Sequence, residues 1–426
     1  MTNFTTASTS MSSSRAGHVA RERVRRYRVH ALPPPLSRRV LSLENEGAYA
    51  VLNAALELEK AGQSITHLEL GQPSFGTPQH VRDAAVAAIT AGRSGYAPPA
   101  GTANLRSAIA QKVSHRRGWA GVDACNVVVG PGAKPPLFLV LMALLDIERN
   151  ASEVLAPDPG FPSYANSIKA LGGDIRAYDA SRVDTIEDLV TSKTRVIIVN
   201  SPSNPTGAVL DDDDVNRIAE IAMKHNLYVI SDEIYSELMY DDASLSSSPR
   251  CPSPRDIAGM ENRTIVVDGF SKTYCMTGWR LGYGIMPSEI ADAVELLSVH
   301  SLGCTASFTQ EAGVQALTCA DSDHAITMMR EEYRKRRDYV VHALNAMNGV
   351  TCETPRGAFY AFPNIEALGL SSKELAHRLL YDAGVAMLPG TDFGERGEGH
   401  LRISYVSSLS ELEQGLEKMR NLVERL

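Results

Sequence analysis

The sequence of 426 residues lacks any apolar run close to the ~20 residues that a bilayer-spanning helix requires. Its longest, PPLFLVLMALL at 135–145, has the length of a buried helix and stops at Asp146. Six cysteines (Cys125, Cys251, Cys275, Cys304, Cys319 and Cys352) include no CxxC pair, so neither a zinc spacing nor a disulfide framework is indicated. Free thiols, a reducing cytoplasm and no metal centre are the expectation. A surplus of basic charge is lacking too, and the net charge of −8 argues against nucleic acid as the main partner. No internal repeat is visible. What remains is ordinary for a globular protein: 44% hydrophobic and 22% charged residues. The length allows two domains, or one large domain with a satellite.

The first 38 residues depart from this composition. MTNFTTASTSMSSSRAG is rich in Ser and Thr, and residues 15–39 carry many arginines against one acid, Glu22. Organelle presequences are Arg- and Ser-rich and poor in acids. The simpler reading is a disordered extension, or a start codon placed too early. Prolines 33–35 form a stiff joint ahead of the folded part.

Beyond residue 42, short β-branched runs alternate with helical periodicity. NVVVG (126–130), EVLAP (153–157), VIIVNSP (196–202), LYVISDE (227–233) and TIVVDG (264–269) are bounded by Gly, Pro or Asp, and DDVNRIAEIAMKH (213–225) is one of the helices between them. Near-continuous apolar strands separated by helices predict an α/β fold, with a mainly parallel sheet covered on both faces. The four aspartates at 211–214 have the look of a metal site, but are expected to cap the next helix. DASLSSSPRCPSPRD (242–256) reads as a solvated loop. After residue 310 come long polar helices such as MMREEYRKRRDYVVHALNAM (328–347), a short strand region GAFYAFP (357–363) and another helix at SSKELAHRLLYDAG. That texture predicts a smaller α+β domain.

Four motifs stand at strand ends, where an open α/β sheet binds its ligand. VVVGPGAK (127–134) is a strand, a glycine turn and a helix start, which suits a phosphate. NSPSNPTG (200–207) sets Asn204 in a Pro-flanked turn, and SDEIY (231–235) sets Asp232 at a strand end with Tyr235 just beyond. SKTYCMTGWRLGY (271–283) carries Lys272 and Arg280. A lysine amine forms an imine with an aldehyde, and a buried carboxylate keeps a pyridine nitrogen protonated. Asparagine and tyrosine can bond a ring phenolate, while arginine and helix amides hold a phosphate. Together they make a coordination set for pyridoxal phosphate.

PxxNPTG, SDEIY and SKTYxMTGWRLGY, in that order, resemble the class I (aspartate aminotransferase superfamily) aminotransferases on the fold-type-I pyridoxal phosphate scaffold. The resemblance runs from about residue 43 to the C-terminus. It implies Lys272 as Schiff-base lysine and proton shuttle, Asp232 at the pyridine nitrogen, and Asn204 and Tyr235 at the ring oxygen. Arg280, Ser271 and the amides of Gly132, Ala133 and Lys134 would hold the phosphate, and Phe161 would stack on the ring. Tyr96 would reach the phosphate of the neighbouring subunit, implying a homodimer with shared sites. Arg402 would grip the substrate α-carboxylate as a fork, with Asn204 and the Gly71 backbone closing on it. One departure is Gly269, where many relatives have a phosphate-binding serine; Ser271 is expected to compensate. Cys275 and Cys304 are expected to be packing residues. The implied organisation is a basic extension (1–38), an arm and part of the small domain (39–75), a large cofactor-binding domain (76–310) and the C-terminal small domain (311–426).

The resemblance implies a ping-pong aminotransferase acting on an amino acid and a 2-oxo acid. The same site also serves β- or γ-elimination or replacement, cyclisation, decarboxylation and oxidation, so the motifs fix the cofactor more firmly than the reaction. A sensor domain of a transcription regulator is a third class; roughly 38 residues ahead of the fold are too few for a DNA-binding module. Some relatives bind a second substrate carboxylate with an arginine after the GWRLGY motif. Here no Lys or Arg lies between Arg280 and Arg330, and His300 is the nearest basic side chain. Leaving that carboxylate unpaired costs on the order of several kcal/mol. At best a weak preference for aspartate and glutamate as donors is therefore expected, and a neutral or larger amino acid, including one with a γ-leaving group, should convert better.

Overall fold

The computed structural model describes residues 36–240 and 250–426. The extension with its proline joint, up to residue 35, and most of the Ser/Pro-rich loop, 241–249, lie outside the described residues. The apolar runs pair into one seven-stranded sheet. Its order is Val127–Gly130, Gly282–Ile285, Thr264–Gly269, Tyr228–Asp232, Thr194–Asn200, Glu153–Asp158, Asp174–Asp179. The Gly282–Ile285 strand alone runs antiparallel to its neighbours, and the other neighbouring pairs are parallel.

Strand alternation explains why the runs are apolar throughout. Val196 and Ile198 enter one core with Ile230, Ile265 and Val267, while Ile197 and Val199 enter another with Val229 and Ile218. Successive side chains leave opposite faces, so a strand covered on both sides has no position left for a polar residue. Two strands escape this pattern. DIRAYD (Asp174–Asp179) is the partly exposed edge of the sheet, and GYGI (Gly282–Ile285) is half glycine.

The aspartates at 211–214 cap the Asp212–Lys224 helix. Asp211 accepts from the Asp214 amide at 2.8 Å, and Asp214 accepts from the Asp211 amide at 3.1 Å. These bonds satisfy two donors that a helix start leaves open. The 135–145 run becomes the buried Lys134–Leu144 helix. The described end of the Ser/Pro-rich segment corrects the expectation of a solvated loop: Cys251, Ser253 and Arg255 are buried. The cause is Glu233, a buried carboxylate that takes bonds from Ser253, Ser231 and Arg117. A polar segment is drawn inward where a buried acid needs donors.

In the C-terminal part, Leu401–Ser404 pairs antiparallel with Leu388–Pro389 and Tyr360–Ala361. The helices Ala320–Asn345, Ser372–Tyr381 and Leu409–Val423 share a core with these strands, built on Tyr333, Phe359, Leu379 and Leu416. Leu68 joins that core, and Thr66–His67 pairs in parallel with Val385–Ala386. Among the described residues no helix is long and apolar enough to cross a membrane.

Candidate active site

The parallel strands Thr194–Asn200, Tyr228–Asp232 and Thr264–Gly269 end together. Asp232 at a strand end, and Asn204 and Lys272 just beyond theirs, meet in one cavity of about 640 Å³. Ala133, Lys134, Phe161, Tyr235, Ser271, Arg280, Arg402 and Gly71 also line it. Thus almost every residue singled out from the motifs meets here. Tyr96 and Gly132 do not: Tyr96 is fully exposed, outside the cavity of its own chain, and Gly132 packs against the Arg280 guanidinium.

Lys272 sits on the short Phe270–Thr273 helix that follows its strand. Its Nζ donates to the Gly71 carbonyl at 2.6 Å and lies near the rings of Phe359 and Tyr235. Burial, reinforced by Arg402, Lys134 and Arg280, lowers its amine from 10.5 to about 8. Such a lysine is partly neutral at physiological pH and can act as nucleophile and base.

Asp232 is held by the Tyr164 hydroxyl, which donates to Oδ2 at 2.7 Å, and by the Ile234 amide at 3.2 Å. Burial pushes its carboxyl up, against the pull of those two bonds and of the Lys272 charge. A buried carboxylate in that condition is stabilised by a cationic N–H partner. Asn200 clamps the neighbouring turn, accepting from the Asn204 amide at 2.8 Å and donating to the Asp232 carbonyl at 2.9 Å.

The Leu401–Ser404 strand brings in Arg402. Its guanidinium donates to Asn204 Oδ1 at 3.3 Å and to the Glu69 carbonyl, and lies over the rings of Tyr360 and Phe393. Nε is buried without a partner in the described structure. Tyr360 bonds Tyr235, hydroxyl to hydroxyl, at 2.8 Å. A Cβ at Gly71 would collide with that Tyr360 hydroxyl, so only glycine lets this backbone approach.

The glycine turn supplies shape as much as donors. Gly132 takes φ 100°, and a Cβ there would collide with the Arg280 guanidinium. Its amide turns back to the Gly130 carbonyl at 2.8 Å, which corrects the expectation that it points outward with its neighbours. The helix begins at Lys134, followed by Pro135 and Pro136, which have no N–H. The amides that this helix start can offer to an anion are therefore those of Ala133 and Lys134, beside Arg280. Ser271 lines the cavity, whereas Gly269 does not.

The motif reading missed several residues. Tyr164 lies three residues after Phe161 and Tyr360 lies inside GAFYAFP, and their hydroxyls were the available signal. The Lys134 side chain was overlooked in favour of its amide. Its Nζ lies 4.8 Å above the Phe161 ring and pairs with Glu46 Oε2 at 2.9 Å, and both residues line the cavity. No motif contained Glu46. His300 is exposed and does not line the cavity. Cys275 packs its sulfur on Met329, with burial pushing the thiol up to about 12, and the Cys304 sulfur accepts from the Ala97 amide.

Known proteins are similar to this chain in sequence and fold. The family model for aminotransferase class I and II matches residues 63–419. The chain is 38% identical over 368 residues to an aspartate aminotransferase of Pyrococcus abyssi, covering 85% of this chain and 92% of that one. It is 36% identical over 374 residues to aromatic-amino-acid aminotransferase 2 of Thermococcus litoralis, covering 86% and 94%. The structure of Thermus thermophilus aspartate aminotransferase with maleate superposes with a TM-score of 0.83 at 35% identity, over 92% of this chain and all of that one. With the strand-end lysine, aspartate and asparagine in one cavity, the chain belongs to the class I and II aminotransferases.

Proposed function

We propose that this aminotransferase moves the amino group of an amino acid to a 2-oxo acid using pyridoxal 5'-phosphate in the cavity just described. The observation that carries the reading is the charge pattern. Among the described residues, Lys134, Lys272, Arg280 and Arg402 face the cavity against only Asp232 and Glu46. That surplus of positive charge fits a phosphate together with a substrate carboxylate. Asp232, buried and short of a cation, fits a ring N–H.

The residues divide the work. Arg280, Ser271 and the amides of Ala133 and Lys134 would hold the phosphate, with Gly132 shaping the turn around Arg280. Asp232 would take the ring nitrogen, Tyr235 and Asn204 the ring oxygen, and Phe161 one ring face. When bound, the cofactor supplies an aldehyde and an electron-withdrawing ring. Arg402 fixes the substrate α-carboxylate, which orients the Cα–H bond toward Lys272. Lys272, lowered to about 8, would take the Cα proton and hand it to the carbon that was the cofactor's aldehyde. Tyr164 and Asn200 keep Asp232 and Asn204 in place. The second half-reaction runs the same steps in reverse with another 2-oxo acid.

The large domain (76–310) supplies Lys272 and the phosphate site, and the small domain (39–75 with 311–426) supplies Gly71 and Arg402. The exposure of Tyr96 supports a homodimer in which it completes the neighbouring subunit's phosphate site. Six free cysteines fit a reducing cytoplasm. The test is Lys272→Ala: borohydride treatment should fix pyridoxal phosphate permanently to the wild type and not to the variant. Permanent labelling of the variant would refute the assignment.

A further inference from the structure

We infer that Glu46 is a specificity-determining residue: it is a built-in counter-ion for Lys134 that turns dicarboxylic donors away and leaves the site to amino acids with uncharged side chains. The inference rests on the transamination reading and adds the substrate class to it.

A donor with two carboxylates needs two cations. Arg402 serves the α-carboxylate, with Asn204 and the Glu69 carbonyl fixing its orientation. Arg280 is pinned to the Thr277 carbonyl at 2.8 Å and packs against the glycine turn of the phosphate site. Lys272 is the reacting amine. Among the described residues, Lys134 is the only cavity-lining cation left for a distal carboxylate. Its ammonium is already taken by Glu46 at 2.9 Å. A second carboxylate arriving there must displace Glu46 or share one ammonium with it, and like charges at that spacing repel.

Glu46 is carried by an anchored backbone. The segment that carries it is tethered on both sides. The Glu44 amide donates to Asn166 Oδ1 at 3.0 Å, and the Glu44 carboxylate pairs with Lys169 at 3.2 Å. Gly47 lies so close to the Asp392 carboxylate that any Cβ would overlap it. The anchored backbone keeps the Glu46 carboxylate within reach of Lys134. The field of Glu46 also reaches the site, where it raises the affinity of both Lys272 and Arg402 for protons. The same segment offers Ala48, Tyr49 and Leu52 to the cavity, and Leu70 joins them. That wall is apolar and suits an aliphatic or aromatic donor side chain.

The experiment follows the half-reaction of the holoenzyme with a donor alone, by the change in cofactor absorbance, for leucine, phenylalanine and aspartate. Wild type should favour leucine or phenylalanine over aspartate in kcat/KM. In Glu46→Gln, which frees Lys134, this preference should fall by at least ~10-fold, equivalent to about 1.4 kcal/mol. Adding Lys134→Met to Glu46→Gln should reverse that fall. Because each ratio is measured on one preparation, it is indifferent to the fraction of chain that folds. A wild type that favours aspartate, or a ratio that moves less than twofold in Glu46→Gln, would overturn the role of Glu46 and leave transamination standing. A wild type that binds the cofactor yet converts no donor would overturn the transamination reading itself.

Discussion

Replacing Lys272 by methionine should make the cofactor-free protein more stable, and by an amount that depends on pH in a defined direction. Burial and three neighbouring cations lower the amine from 10.5 to about 8. Below about 8 the folded chain must carry a buried ammonium that the unfolded chain keeps in water. Above 10.5 both forms are neutral and the penalty is gone. The unfolded state binds more protons throughout this window, so wild-type stability rises with pH across it. At about 1.4 kcal/mol per pH unit, the full penalty is about 3 kcal/mol. Methionine keeps the length and removes the charge, but it gives up the bond to the Gly71 carbonyl, worth about 1 kcal/mol. Lys272→Met should therefore exceed the wild type by about 2 kcal/mol at pH 7. Its advantage should shrink by roughly 3 kcal/mol by pH 10.5, leaving the wild type the more stable. Urea midpoints of the two cofactor-free proteins, measured in parallel from pH 7 to 10.5, read the difference directly. A difference that stays constant, or widens in favour of the variant as pH rises, would refute the claim that Lys272 is a buried, destabilised cation.

Asp232→Asn preserves shape and the contact with Tyr164 but removes the anion, so turnover should fall on the order of a thousandfold, about 4 kcal/mol in the barrier. A near-normal rate with an intact circular dichroism spectrum would show that the carboxylate charge is not used. Lys272→Ala and Tyr96→Ala chains, each inactive alone, should regain about a quarter of wild-type activity when mixed and refolded, since half the dimers then hold one intact site. Sedimentation of the wild type as a monomer would contradict the shared-site arrangement.

The catalytic set was legible because its chemistry is written locally. Asn204, Asp232 and Lys272 each follow an apolar run within a few residues, and a parallel sheet gathers such strand ends on one edge whatever the rest of the chain does. The sheet's inner strands were legible for the same reason, while DIRAYD and GYGI were not, since an exposed edge and a glycine-rich strand lose the apolar pattern. The aspartates at 211–214 could be read as a cap because capping needs only neighbours three residues apart. Contacts between distant segments carry no such mark. Tyr164 reaches Asp232 across 68 positions, Tyr235 reaches Tyr360 across 125, and Glu46 reaches Lys134 across 88. A hydroxyl or carboxylate in a sequence does not name its partner, because packing between elements decides which side chains come within bonding distance. Lys134 shows the division within one residue. Its place at the start of a helix, and hence the use of its amide, follows from the strand–glycine–helix order of the sequence. The direction of its ammonium, toward Glu46 and over Phe161, was decided only when the tethered segment around Glu46 folded across the cavity.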